Sequence, residues 1–122
     1  MIAGVFNSML EPVIPLKLFD TNGHVFVTDA IVDTGFTGHL FLPPDVIQAL
    51  KLPWITREQL IVTGGHVHFF EVFRAQVYWD GIVVDVDVLE ADGMPLIGTQ
   101  LLAGYSFEME TRIGGPVSIT KL

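Results

Sequence analysis

Tight-turn sequences recur at short intervals along this chain, and they restrict it to short extended segments. Asn22-Gly23 and Asp80-Gly81 are the strongest of these signals, because both residues of a two-residue hairpin turn must tolerate positive φ. The segments between the turns are rich in valine, isoleucine, phenylalanine and threonine, which favour strands. The pattern predicts an all-β fold with hairpin connections.

The individual elements follow from apolar alternation and from the helix-bounding residues. Alternation is clearest where Val84, Val86 and Val88 share one face and the intervening aspartates take the solvated face. Prolines bound one short helix. No linker interrupts the series, so we expect residues 1–122 to form a single domain. The predicted strands cover residues 13–19, 24–32, 59–62, 66–79, 82–89, 105–110 and 117–122, and the helices cover residues 46–51 and 99–103.

Charge and hydrophobicity restrict the partners of the chain. Half of the 122 residues are hydrophobic, and 14 acidic and 6 basic residues give a formal charge of −8. Phosphate backbones repel such a surface, and the basic residues are scattered, so we expect no nucleic-acid partner. Surplus apolar residues in a small domain favour a partner subunit, although a dense β core would use the same residues.

Features that the sequence lacks exclude several chemistries. There is no cysteine, which excludes disulfides, thiolate catalysis and cysteine-bound zinc. No Gly-x-Ser-x-Gly sequence occurs, so serine catalysis is poorly supported. Residues 1–15 lack the basic start of a signal peptide, and no apolar run approaches the length of a membrane span. We therefore expect a cytoplasmic protein with no membrane partner.

The segment with the clearest chemistry is an apolar strand that leads into Asp33-Thr34-Gly35. Gly35 lets the backbone turn tightly beneath the carboxylate of Asp33 because it has no Cβ. Thr34 can hold the loop through its hydroxyl group. Asp-Thr-Gly by itself is weak evidence of a catalytic site, and an ordinary turn explains it equally well. Its weight comes from the other motifs that surround it in sequence order.

Four motifs follow one another along the chain. They are Ile31-Val32-Asp33-Thr34-Gly35, a glycine-tipped hairpin at Thr63-Gly64-Gly65, a strand pair turning at Trp79-Asp80-Gly81, and Leu96-Ile97-Gly98 before a short helix. Taken together, these motifs resemble the aspartic peptidase clan that includes the retroviral enzymes and the two halves of pepsin, and most closely its small prokaryotic members. The resemblance covers about residues 13–122 and implies a closed acid-protease (retropepsin-like) β-barrel with one or two short helices.

This resemblance implies a homodimeric aspartic endopeptidase. Only one Asp-Thr-Gly occurs, so Asp33 would be half of a catalytic dyad, and a twofold-related chain would supply the other half. Two adjacent carboxylates share one proton and titrate as a coupled pair. The pair activates a water that hydrolyses an extended peptide or protein substrate, and no metal or other cofactor is implied.

Supporting roles also follow from the resemblance. Thr34 and Gly35 complete the active-site loop, and Thr34 braces it against the partner's loop. Thr63, Gly64 and Gly65 would form the tip of a substrate-binding flap, since glycine permits changes in φ and close backbone approach. A plain hairpin turn is the alternative for these three residues.

Three further residues are candidates for pocket or support positions. Gly98 would let its strand cross close behind the Asp33 loop. Phe36 and Ile97 either line a substrate pocket or belong to the core, and for Ile97 we favour the core. Phe36 follows Asp-Thr-Gly at a position where members of the clan often carry a small residue, so this chain differs from the clan there. Thr99-Gln100 stand where the retroviral enzymes carry an arginine and a short polar residue that support the dimer, so those interface details do not carry over.

The sequence also allows a metal site and a non-catalytic function. His66 and His68 share one face of a strand, but a metal would need a third or fourth ligand, so we favour solvent-facing flap residues and expect no metal site. A catalytically silent retropepsin-like dimerisation or peptide-binding module is the alternative from a different functional class. The intact Asp-Thr-Gly favours the enzyme.

Overall fold

The computed structural model describes residues 1–122 as a ten-stranded sheet with two short helices. The all-β prediction is therefore confirmed. No helix is long and apolar enough to cross a membrane. The strands are β1 (Ile2–Phe6), β2 (Pro12–Phe19), β3 (Val25–Val32), β4 (Leu40–Leu42), β5 (Trp54–Ile61), β6 (Val67–Trp79), β7 (Ile82–Glu90), β8 (Leu96–Ile97), β9 (Tyr105–Met109) and β10 (Pro116–Lys121); the helices are α1 (Pro44–Leu50) and α2 (Thr99–Leu102).

Both hairpin turns predicted from Asn-Gly and Asp-Gly are present. Gly23 has φ +82° between β2 and β3, and Asp80 and Gly81 have φ +49° and +90° between β6 and β7. The side chain of Asp20 accepts hydrogen bonds from the backbone N–H groups of Asn22 and His24, both at 2.8 Å. These bonds fix the first turn and lower the pKa of Asp20, with the His24 N–H as the largest cause.

The strands pair in the order β5-β6-β7-β4-β8-β3-β2-β1-β10-β9, and β2 also pairs with β6. That additional pairing joins six strands into a ring of hydrogen-bonded neighbours. Within the ring, β8 runs parallel to β3, with Ile31 opposite Leu96 and Val32 opposite Ile97. A residue that follows β3 is therefore placed by β8, which lies more than sixty residues further along the chain.

One main hydrophobic cluster fills the interior of this arrangement. Burying its aliphatic side chains contributes most of the favourable free energy of folding, at about 25 cal/mol per Å² of apolar surface. No charged or polar residue is fully buried, so the core provides no internal partner for a carboxylate. Fully buried members from five different strands are Ile14, Leu40, Val77, Ile97 and Ile119.

Three strands, β1, β4 and the two-residue β8, were missing from the sequence prediction, and β5 was predicted too short. β1 contains Gly4, which weakens its strand signal, yet a Cβ at Gly4 would overlap the carbonyl oxygen of Val13 on β2. Glycine in this strand therefore marks a close backbone approach. β4 has only three residues and is defined by its nonlocal partners β7 and β8. β5 begins at Trp54, five residues earlier than predicted, because its pairing with β6 extends an exposed strand.

Candidate active site

Asp33 lies directly after β3, and its backbone is fixed by β8. Its N–H donates to the carbonyl oxygen of Ile97 at 2.8 Å, and the N–H of Ile31 donates to that of Pro95 at 2.9 Å. These bonds continue the parallel β3–β8 ladder beyond the last residue of β3. The start of the loop therefore has little freedom to move relative to the core.

Within the loop, the carboxylate of Asp33 is held by a tight turn. The Gly35 N–H donates to Asp33 Oδ1 at 2.9 Å, and the Phe36 N–H donates to the Asp33 carbonyl oxygen at 3.1 Å. A Cβ at Gly35 would come within 3.2 Å of Asp33 Oδ1, so glycine keeps the space beside the acid open. Thr34 and Gly35 are exposed, and Asp33 is half-buried.

The second carboxylate oxygen of Asp33 makes no hydrogen bond to the chain, and no cation pairs with the carboxylate. The acid is therefore positioned but not neutralised by its own chain. A carboxylate in this state can accept a proton from water or share a proton with a second acid.

A segment that runs from β8 through Gly98 into α2 crosses behind the Asp33 loop. The Gly98 N–H donates to the His39 carbonyl oxygen at 3.0 Å, and the Thr99 N–H donates to the Phe36 carbonyl oxygen at 2.8 Å. A Cβ at Gly98 would overlap the Gly38 carbonyl oxygen and lie 2.7 Å from that of Phe36. Gly98 is in the extended region, so glycine is required here for close approach and not for positive φ.

Of the two possible pocket residues, Ile97 lies in the main core, where it is fully buried. Phe36 is 8% exposed and belongs to a separate cluster with Val72 and Leu89. Its ring lies 4.3 Å from the ring of Phe41, centroid to centroid. Phe36 also lines a cavity of about 140 Å³, so its side chain has both a packing surface and a cavity surface.

Thr63, Gly64 and Gly65 form the turn between β5 and β6. Gly64 and Gly65 have φ +86° and +76°, and the N–H of Gly65 donates to the carbonyl oxygen of Val62 at 3.0 Å. All three residues are exposed. The turn therefore depends on glycine conformations and not on packing.

The body of this hairpin packs on the Asp33 loop. Leu60 on β5 and Phe70 on β6 lie against the Phe36 cluster. At its base, Glu71 accepts hydrogen bonds from Trp54 Nε1 at 2.6 Å and Arg57 Nε at 2.7 Å. These two bonds, that from Trp54 first, lower the pKa of the Glu71 carboxyl. The hairpin is thus anchored at its base and free at its tip.

His39 is a half-buried residue of this region that no sequence motif indicated. Burial lowers its pKa, although Asp87 opposes this effect and Arg74 adds to it. Its Nδ1 lies 3.4 Å from the backbone nitrogen of Asp87. The two residues meet because β4 pairs in parallel with β7, Leu40 opposite Val88. No local pattern in the sequence signals such a pairing.

His66 and His68, the candidate metal ligands, lie at the tip of the β5–β6 hairpin and just after it. His66 is in the hairpin turn, and His68 on β6 stacks at 6.3 Å on Phe70. No group of three or more histidine, cysteine, aspartate or glutamate side chains is arranged to bind a metal ion.

The chain is similar in fold to the crystal structure of a retropepsin-like aspartic protease from Rickettsia conorii. The superposition has a TM-score of 0.56 and covers 98% of this chain and 90% of that one, at 17% sequence identity. This likeness confirms the retropepsin-like fold. No protein-family model matches the chain, and no curated protein matches it significantly.

Proposed function

We propose that this protein is a homodimeric aspartic endopeptidase in which each chain contributes one Asp33. The observation that carries the proposal is the Asp33 carboxylate itself. It is held by the Gly35 N–H at 2.9 Å, is only half-buried, and has no ion-pair partner in its own chain. The likeness in fold to a retropepsin-like aspartic protease supports the same function.

A second copy of the chain is needed because a single carboxyl group cannot serve as both the base and the acid of the reaction. It cannot remove a proton from water and donate one to the carbonyl oxygen in the same step. Two aspartates within hydrogen-bond reach cannot both ionise cheaply, so they retain one proton between them. A twofold axis beside Asp33 supplies this arrangement, because it places each residue opposite its own copy.

The dyad would then hydrolyse a peptide bond by general acid–base catalysis. The ionised aspartate removes a proton from a bound water, and the water oxygen attacks the peptide carbonyl carbon. The protonated aspartate donates its proton to the carbonyl oxygen, which gives a tetrahedral diol. The C–N bond then breaks, and a proton passes from the dyad to the leaving nitrogen. Every proton that moves comes from the water or the dyad.

Substrate would lie extended between the Asp33 loop and the β5–β6 hairpin. The cavity of about 140 Å³ between them is lined by Phe36 and His39 from one side and by Glu58 and Leu60 from the other. Extended peptides bind to such surfaces through backbone hydrogen bonds, with side chains in alternate pockets. The free tip at Gly64-Gly65 would close over the bound peptide.

The direct test is Asp33→Asn, assayed on a mixture of denatured proteins from pH 3 to 7 with and without a statine peptide as transition-state mimic. We expect the wild-type protein to cleave and to be inhibited. The variant should lose about 100-fold or more of the rate, which is the usual contribution of a general acid–base group. Asp29→Asn is the matched control, because Asp29 is exposed on the same strand four residues earlier.

Two outcomes would contradict the proposal. Cleavage that persists in Asp33→Asn would assign the activity to another group or to a contaminant. A wild-type protein that neither cleaves nor binds the inhibitor would favour the catalytically silent module.

A further inference from the structure

An apolar pocket of about 570 Å³ lies beside the proposed catalytic residue. Asp33 and Thr34 form part of its wall. Most of the remaining wall is hydrophobic, and exposed apolar patches of this kind mark interaction surfaces. Seven apolar residues line the wall, among them Phe6, Leu10, Ile31, Leu96, Phe107 and Met109.

At the edge of this pocket, the loop of residues 7–11 holds two large apolar side chains in solvent. Met9 is 76% exposed and Leu10 is 59% exposed. The Asn7 side-chain oxygen accepts from the N–H groups of Met9 at 3.0 Å and Glu11 at 2.9 Å. The apolar residues are therefore presented by a loop that is already ordered.

Leu10 also has φ +60°, a left-handed conformation that is strained for a residue with a Cβ. Its N–H donates to the Asn7 carbonyl oxygen at 3.1 Å. Strain of this kind persists where the surroundings enforce it, and it is frequent at functional surfaces. The loop thus has an apolar, preformed and locally strained projection beside an apolar pocket.

A second copy of this chain is the occupant that fits the pocket. If two Asp33 carboxylates share a proton, the twofold axis passes beside Asp33, and the surface around the pocket meets its own copy. A twofold interface must be self-complementary. The surface around Asp33 contains both a concave part, the pocket, and a projecting part, the Met9-Leu10 loop. It can therefore be complementary to a second copy of itself.

A dimer formed by exchange of β1 between the two chains is a poor alternative to an interface at the pocket. β1 pairs with β10 on one side and with β2 on the other within the same chain, so part of its hydrogen-bonding capacity on both edges is already used. By contrast, β9 is the last strand of the sheet and has a free outer edge. Phe107 and Met109 on β9 also line the pocket. The free edge therefore lies next to the same surface.

We infer that the loop of residues 7–11 is the dimer contact, with Met9 and Leu10 of each protomer packed against the partner's pocket beside Asp33. The inference rests on the proposed function and adds the surface that assembles the site. On this arrangement the 570 Å³ pocket is an interface, and the substrate lies on the hairpin side of Asp33.

The test is Leu10→Asp, with Ile82→Asp as the matched control. Aspartate tolerates the left-handed region better than leucine does, so the backbone of the loop is retained while an apolar contact is replaced by charge. Ile82 is 58% exposed, close to the exposure of Leu10, and is the first residue of β7. Met9→Asp is the second variant, at a site where φ is not positive.

Sedimentation velocity over a concentration series, far-ultraviolet circular dichroism and peptide cleavage should be measured for all proteins. We expect Leu10→Asp and Met9→Asp to remain folded and to raise the dimer dissociation constant about tenfold or more, as loss of a central interface residue does. Cleavage per chain should fall in parallel. Ile82→Asp should match the wild-type protein in both measurements.

The outcomes separate this inference from the proposed function. A wild-type dimer that cleaves, together with loop variants that dimerise and cleave equally well, overturns the inference and leaves the peptidase standing. Loop variants that remain dimers with only a raised KM make the pocket a substrate subsite, which also overturns it. A wild-type protein that is monomeric at high micromolar concentration contradicts both.

Discussion

The Asp33 loop and the tip of the β5–β6 hairpin are both glycine-containing turns. Nonlocal hydrogen bonds and packing hold the first, whereas only local backbone conformation defines the second. The Asp33 loop is bonded to β8 through Ile97 and to the following segment through Thr99, and its Phe36 is buried. The hairpin tip has positive φ at Gly64 and Gly65 and no packed side chain. The contrast separates a fixed carboxylate from a hairpin tip that local opening can move at low free energy.

The largest expected effect is that of Gly98→Ala in the packed region. A Cβ there overlaps backbone and not a flexible side chain, so we expect a loss of about 4 kcal/mol in the free energy of unfolding, near the top of the range for single substitutions. Gly65→Ala is the matched change in the hairpin. Nothing lies within 4 Å of its Cβ, so only the left-handed backbone cost of about 1 kcal/mol applies.

Urea unfolding of both glycine variants measures this difference. Equal losses of unfolding free energy would show that the crossing behind the Asp33 loop is no tighter than the hairpin turn. In that case the contrast between the two regions would fail.

A smaller difference is expected between two phenylalanines. Phe36 is 8% exposed and Phe69 on the hairpin is 65% exposed. Phe36→Ala should lose about 3 kcal/mol of unfolding free energy because it leaves a cavity beneath the hairpin. Phe69→Ala should change it by no more than about 0.5 kcal/mol. Thermal or urea denaturation is the measurement, and a larger loss for Phe69→Ala would mean that the outer face of the hairpin is covered in solution.

The smallest effect concerns the pH dependence of stability at His39. Burial keeps the pKa of His39 in the folded protein below its ordinary value of 6.5. As the pH falls through 6.5, the unfolded chain binds a proton more readily than the folded one, so the unfolding free energy falls. This loss is complete below the folded pKa, and it is absent well above 6.5.

His39→Gln should therefore lose less stability than the wild-type protein between pH 7.5 and 5, measured by urea unfolding at fixed ionic strength. His66→Gln provides the comparison from the hairpin turn. An equal reduction of the pH slope in both variants would argue against burial of His39 as the cause.

The difference between the two regions also explains how well each was predicted. The Asp33 loop and the turn at Gly64-Gly65 were located from glycine-containing motifs, because glycine marks local backbone requirements. The crossing at Gly98 was expected only from the family resemblance. The contact of His39 with Asp87 and the apolar wall beside Asp33 were missed. Both depend on strands far apart in the sequence, β4 with β7 and β3 with β8.

By itself, the sequence determined the positions of the turns, the strand content and the carboxylate at the centre of the candidate site. These follow from φ preferences and from alternation over a few neighbouring residues. Only the tertiary structure decided that Gly98 crosses behind Asp33, that His39 is half-buried beside Asp87, and that an apolar pocket opens beside the acid. Nonlocal strand pairing sets these features, and its register leaves no local pattern in the chain.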